Sequence, residues 1–230
     1  MTPQGVILLG LEPKVGKTYC SILLIKALQQ ARLNPGFFKL VDTGKADLNK
    51  SDAARVARAC RLQQDPSEMC PYVLKHPGPA YLAARKSKML IATQTLSERY
   101  GWNFATHSHM VVEGSGEVIT PLMFEPNQIL LQEDVITRLK LSVILVVKLT
   151  TAAVNIASLS VHYLKTNGIN PVGIIVNGYN ARSADHRDTL GMIERFTQTK
   201  IIATVAQGQQ ALNSRVPLPQ LFVRPDPLAY

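Results

Sequence analysis

Residues 6–18 read Val6-Ile7-Leu8-Leu9-Gly10-Leu11-Glu12-Pro13-Lys14-Val15-Gly16-Lys17-Thr18. The first four residues make a short unbroken apolar run, suited to a buried strand, and Gly10 ends it. The common phosphate-binding pattern is G-x4-G-K-[ST] between a strand and a helix. Here five residues separate Gly10 from Gly16, one more than that pattern allows. The rest fits. Backbone N–H groups from Lys14, Val15, Gly16, Lys17, Thr18 and Tyr19 can face phosphate oxygens at the positive end of the following helix. Lys17 would bridge the β- and γ-phosphates, and the Thr18 hydroxyl would bind Mg²⁺. This stretch therefore predicts a Mg²⁺-dependent, nucleotide-hydrolysing enzyme.

Outward from this loop, apolar bursts alternate with helical patterns. A helix is predicted over residues 17–32, with Ile22, Ile25 and Leu28 on one face. Asn34-Pro35-Gly36 reads as a turn before a second strand over 37–41. Ser51 is placed to cap a helix over 51–60. A proline-rich loop follows over 70–79, then a short helix near Tyr81. Further strands are expected at 109–113, 143–147, 172–176 and 201–205, with helices at 155–165 and 185–196. Gly114-Ser115-Gly116 is read as a loop. Short apolar strands separated by helices imply a mostly parallel sheet covered on both faces. The expected fold is a single-domain α/β P-loop NTPase fold spanning residues 1–230.

Bulk properties agree. The chain has 230 residues, 46% of them apolar and 18% charged, which excludes global disorder. The net charge of +9 is scattered, with no run of five like charges, so anionic small molecules are favoured over nucleic acid. Cys20, Cys60 and Cys70 form no C-x-x-C pair and are odd in number, which suits a reducing cytoplasm. Gly10 and Lys14 interrupt the first apolar run, so no signal peptide is read there. The longest strongly apolar run, residues 143–147, is far short of a membrane span.

Ligands of such sheets sit at the C-terminal strand ends. Lys39 lies in an apolar strand before Asp42-Thr43-Gly44, so its ammonium needs an anion, Asp42 or a ligand, or must reach solvent. Asp52 opens a helix, where the dipole favours a carboxylate. Glu113 ends an apolar strand and resembles the acidic Mg²⁺ ligand of phosphate-loop proteins. The Asn177 amide suits a purine edge, although Asn177-Gly178 is also a strong turn signal. His107 and His109 lack further ligands for zinc. Cys20 and Trp102 are read as packing residues.

In combination these residues resemble the dethiobiotin synthetases, over most of the chain from Gly10 to about Gly208. The family's loop G-T-D-T-x-V-G-K-T has the same extra residue. Its G-[FY]-K-P-V-x-[ST]-G corresponds to Gly36-Phe37-Phe38-Lys39-Leu40-Val41-Asp42-Thr43-Gly44, its S-D-A to Ser51-Asp52-Ala53, and its V-E-G-A-G-G to Val112-Glu113-Gly114-Ser115-Gly116-Glu117. The resemblance implies an ATP-dependent ligase that joins 7,8-diaminononanoate and CO₂. Lys17 and Lys39 would be catalytic, and Thr18, Asp52 and Glu113 would hold Mg²⁺. Nucleotide would be bound by the phosphate loop, residues 113–116, Asn177 and Gly178. Substrate would meet Lys39, Thr43, Thr151 and Asn155, the last two across a homodimer interface. The chain departs from the family at Pro13, Lys14, Leu40, Tyr81, Glu117, Ile156 and Ala206. Those departures leave two alternatives open: a related ligase with another acceptor, and a ParA-like ATPase that binds DNA.

Overall fold

The computed structural model describes residues 4–223. The chain runs β1 (Gln4–Gly10), α1 (Lys17–Gln30), β2 (Pro35–Lys39), β3 (Asp42–Thr43), α2 (Asp52–Cys60), α3 (Pro66–Met69), β4 (Val73–Leu74), α4 (Ala80–Lys86) and α5 (Thr93–Ala105). It continues with β5 (His109–Glu117), β6 (Pro121–Glu125), β7 (Gln128–Leu131), α6 (Gln132–Arg138) and β8 (Ser142–Lys148). The last elements are α7 (Ala153–Thr166), β9 (Pro171–Asn177), α8 (Ala184–Thr197) and β10 (Ile201–Val205). Among the described residues, no helix is long and apolar enough to cross a membrane.

The six expected strands form one sheet in the order β10-β9-β8-β1-β5-β2, with every pair parallel. Strand side chains alternate between faces, and both faces are apolar here. Val6 and Leu8 pack with Phe37, Val111 and Ile144 against α1 and α2. Ile7 and Leu9 pack with Phe38, Val112 and Leu145 against α5 and α7. That double burial is why the strands read as unbroken apolar runs.

Several elements depart from the expectations. The turn expected at 34–36 is partly strand, because β2 begins at Pro35, opposite His109. A proline is tolerated there because β2 is an edge strand. The outer side of that edge is covered by a side chain. Gln64 Oε1 accepts from Phe37 N at 2.7 Å and Gln64 Nε2 donates to Phe37 O at 3.2 Å, as a neighbouring strand would. Residues 114–116, expected as a loop, lie in the extension of β5. The hairpin β6–β7 and helices α5 and α6 carry no clear sequence signal. Helix α5 buries only Leu96, Tyr100 and Asn103, and it carries a poor helix former, Gly101, in its interior. Trp102, read as a packing residue, is instead 65% exposed with the Arg99 guanidinium 5.2 Å from its ring.

Helix α5 is fastened to the sheet by aromatic packing. Fully buried Phe38 meets Tyr100 edge-on at 5.8 Å between ring centroids, and Tyr100 stacks on Phe104. Phe38→Ala is expected to lower the unfolding free energy by roughly 3–5 kcal/mol in urea titrations. A loss below about 1 kcal/mol would mean that this contact does not hold the helix to the sheet.

Candidate active site

The C-terminal ends of β1, β2 and β5 open into a cleft of about 940 Å³. Strand periodicity aims its charges. Lys39 and Glu113 are register partners on adjacent parallel strands. Each lies two residues beyond a core residue of the α1–α2 face, Phe37 and Val111. Both side chains therefore emerge on that face, where α1 and α2 begin.

The phosphate loop links β1 to α1. Lys14 (φ 55°) and Gly16 (φ 98°) take the left-handed conformation, which lets successive backbone N–H groups turn inward. Helix α1 has no side-chain cap and no acidic residue in its first turn, so its positive end faces the cleft undiluted. Lys17 Nζ donates to Gly116 O at 2.9 Å across the cleft. Burial lowers the Lys17 pKa, and the nearby Glu113 carboxylate partly restores it. Asn177 Nδ2 donates to Val15 O at 2.8 Å, so this amide braces the phosphate loop from behind. The Tyr19 hydroxyl donates to the carbonyl of Gln209 and ties residues 206–210 to the loop.

Lys39 is the hub. Its ammonium donates to Glu113 Oε1 at 2.8 Å and to Asp52 Oδ2, not to Asp42 as one sequence reading allowed. Thr18 Oγ1 donates to the same Glu113 oxygen at 3.0 Å. Burial alone would depress the Lys39 pKa, but Glu113 and Asp52 outweigh it and hold the lysine charged. Burial pushes Asp52 up and Lys39 outweighs that, so its pKa lies below the ordinary value. Lys45 also reaches Asp52, with Nζ 3.7 Å from Oδ1. Two caps fix the start of α2: Ser51 Oγ accepts from Ala54 N at 3.1 Å, and Asp42 Oδ2 accepts from Asp52 N at 2.6 Å.

The third wall is the end of β5. Fully buried Gln132 accepts from Ser115 N at 2.7 Å and donates from Nε2 to Glu117 O at 2.6 Å. One amide thus pins both sides of Gly116, the residue that receives Lys17. A β-carbon on Gly114 would lie 2.6 Å from Gln132 Oε1 and from Leu9 Cδ2, so this approach requires glycine.

Among the described residues, no group of three His, Cys, Asp or Glu side chains is gathered to hold a metal. The donors that do converge are the Thr18 hydroxyl and the Asp52 and Glu113 carboxylates. Glu113 Oε2 is buried without a hydrogen-bond partner, which fits an oxygen awaiting a cation. A short all-oxygen set suits Mg²⁺, which also takes water and phosphate oxygens.

The cleft gathers Lys14, Val15, Gly16, Lys17, Thr18, Tyr19, Lys39, Thr43, Asp52, Glu113, Gly114, Ser115 and Gly116 from the sequence reading. It does not include Asn177, Gly178, Thr151 or Asn155. Thr151 and Asn155 are exposed at the start of α7. Thr43 Oγ1 donates to Gly78 O at 2.9 Å on the rim. Sequence reasoning missed Lys45, Arg55 and Gln132. The first two carry a faint signal, as cations near Gly44 and Asp52, and Gln132 carries none.

Lys39→Met would leave buried Glu113 without a cation and half-buried Asp52 with only Lys45, and is expected to cost roughly 3–5 kcal/mol in urea unfolding at pH 8. In the wild type the Lys39 contribution is complete below its unfolded pKa, near 10.4, and is lost only as pH rises through the raised folded value. The Asp52 contribution is complete above about 3.9 and is lost as pH falls through its lowered value. In the variant Asp52 loses the cation that lowers its pKa, so the deficit shrinks toward pH 5. An equal deficit at both pH values would contradict this charge assignment.

An AAA-domain family model matches residues 4–214. An ATP-dependent dethiobiotin synthetase of Brachyspira hyodysenteriae is 30% identical over 212 residues, covering 92% of this chain and 96% of the relative. One from Clostridium perfringens is 30% identical over 206 residues, covering 88% and 90%. Among solved structures, a putative plasmid partition protein of Borrelia burgdorferi bound to AMPPNP superposes with a TM-score of 0.57 at 10% identity, covering 96% of this chain and 95% of that one. A ParA family ATPase of Chlorobium tepidum gives 0.56 at 13% identity, covering 90% and 86%. Those two likenesses establish the fold, a P-loop α/β domain. The near-full-length sequence matches go further: this chain belongs to the dethiobiotin synthetase family.

Proposed function

We propose that the chain is an ATP-dependent dethiobiotin synthetase, which carboxylates 7,8-diaminononanoate with CO₂ and closes a ureido ring. Lys39 is the observation that carries this reading. Its buried ammonium stands between the phosphate-loop residues Lys17 and Thr18 and the acceptor side of the cleft, marked by Thr43. A lysine there can face a phosphate and an acceptor carboxylate together.

The chemistry has three steps. An amine nitrogen attacks CO₂ and loses a proton, giving a carbamate. A carbamate oxygen attacks the γ-phosphorus, and ADP departs. The second amine attacks the carbonyl carbon, loses a proton and expels phosphate. The second step brings two anions together, so the protein's task is positioning and charge neutralisation. Lys17 and the backbone N–H groups of residues 14–19 would hold the phosphates, and Lys39 would draw the carbamate toward them. Backbone groups of residues 114–116, pinned by Gln132, face the same space. Mg²⁺, which Thr18, Asp52 and Glu113 would hold, supplies further neutralisation of the phosphate oxygens. Asn177 and Gly178, beside the segment tied down by Tyr19, are read as the base end of the nucleotide site. Exposed Thr151 and Asn155 would meet the substrate tail bound by the partner subunit of a homodimer. A consumer of ATP and a biosynthetic diamine belongs in the cytoplasm.

Phosphate release from Mg·ATP is expected to require both the diamine and bicarbonate, and to yield dethiobiotin. Lys39→Ala should lower kcat by about 10²-fold or more, as for loss of one transition-state charge donor. Phosphate release indifferent to the diamine would sink the ligase reading. Salt-sensitive DNA binding strengthened by ATP would replace it with a partitioning ATPase.

A further inference from the structure

The cleft's carboxylates are not equally engaged. Asp42 accepts from the backbone of Asp52, Asp52 is bound by Lys39 and Lys45, and Glu113 is bound by Lys39 and Thr18. The Glu117 carboxylate lines the same cleft and has no hydrogen-bond or ion-pair partner among the described residues. Its backbone, by contrast, is fixed. Glu117 O accepts from Gln132 Nε2 at 2.6 Å and from Thr120 Oγ1 at 2.9 Å, and the residue is in register with Gly10 of β1. A rigid backbone therefore presents to the reaction space a carboxylate that feels Lys17 at longer range but has no direct partner, at a position where the family motif has glycine.

A negative charge here is unfavourable for triphosphate, carbamate and carboxylate alike. The group it favours is a cation. In a vicinal diamine one nitrogen is spent as the uncharged nitrogen of the carbamate, and the other is an ammonium at neutral pH until it releases a proton to solvent for ring closure. We propose that Glu117 is a specificity-determining residue that binds this second ammonium group, selecting acceptors with a cationic amine beside the carboxylated one. The assignment rests on the ligase reading above. It gives the acceptor side of the cleft an anion for the amine, matching the cations Lys39 and Lys45 for the carbamate.

The test compares wild type with Glu117→Gln, which keeps size and removes charge, and with Glu117→Gly, which restores the family residue. Diamine binding is measured by calorimetry, and KM for diamine and for ATP by phosphate release. Loss of one charge-assisted contact predicts a diamine KM and Kd raised about tenfold in Glu117→Gln, with the KM for ATP within about twofold. Unchanged diamine KM and Kd in both variants would overturn the assignment. So would a shift confined to ATP, which would mean that Glu117 acts through Lys17. Calorimetry separates the two readings. Glu117-dependent diamine binding without turnover sustains the assignment and defeats the ligase reading, whereas turnover indifferent to Glu117 does the reverse. A wild type that neither binds nor turns over the diamine defeats both.

Discussion

A lysine ammonium with almost no solvent contact, held between the carboxylates of Asp52 and Glu113, ties the working parts of this molecule together. Each of these charges would be costly to bury alone. Together they require three separate elements to arrive in register: the end of β2, the middle of β5 and the first turn of α2. Thr18 adds a fourth, α1, by donating to the same Glu113 oxygen. The cleft's floor is therefore set before any ligand arrives. The stability of the ion cluster and the geometry of the phosphate site are the same interaction seen from two sides.

The frame was legible because its physics is local. Unbroken apolar runs such as 6–9 and 143–147 exist because both faces of a parallel sheet are covered. Gly16-Lys17-Thr18 can sit only where a strand turns into a helix to receive an anion. Lys39 and Glu113 stood out as charges in strands too apolar to tolerate them unpaired, although the sequence could not say that they pair with each other. That follows from β2 and β5 being neighbours, which is a property of the topology and not of either segment. The same limit hid Gln132, whose importance lies wholly in reaching back to Ser115 and Glu117. Helix α5 was hidden for a different reason: three inward residues among polar neighbours leave almost no periodic signal. Trp102 misled because large aromatics are usually packed, whereas this one lies on the surface beside Arg99.

The fold narrows the chemistry less than the site does. The partition protein and the ParA family ATPase share this sheet at 10–13% identity, so a phosphate loop on a parallel sheet says little about the acceptor. The acceptor half of the cleft is where this chain has its own character. Lys45 shares Asp52 with Lys39, and Glu117 brings a carboxylate to a wall that Gln132 holds still. Charges of both signs in one cleft suit the proposed acceptor, an anion at one nitrogen and a cation at the next.

The central claim is that the cleft joins a carbamate oxygen to the γ-phosphorus, with Lys39 drawing the two anions together. Oxygen tracing tests it most directly. With ¹⁸O-labelled CO₂ and a quench faster than its exchange with water, the account predicts phosphate carrying one labelled oxygen for each ring closed. Phosphate that draws its new oxygen from solvent water would show simple hydrolysis and contradict the account.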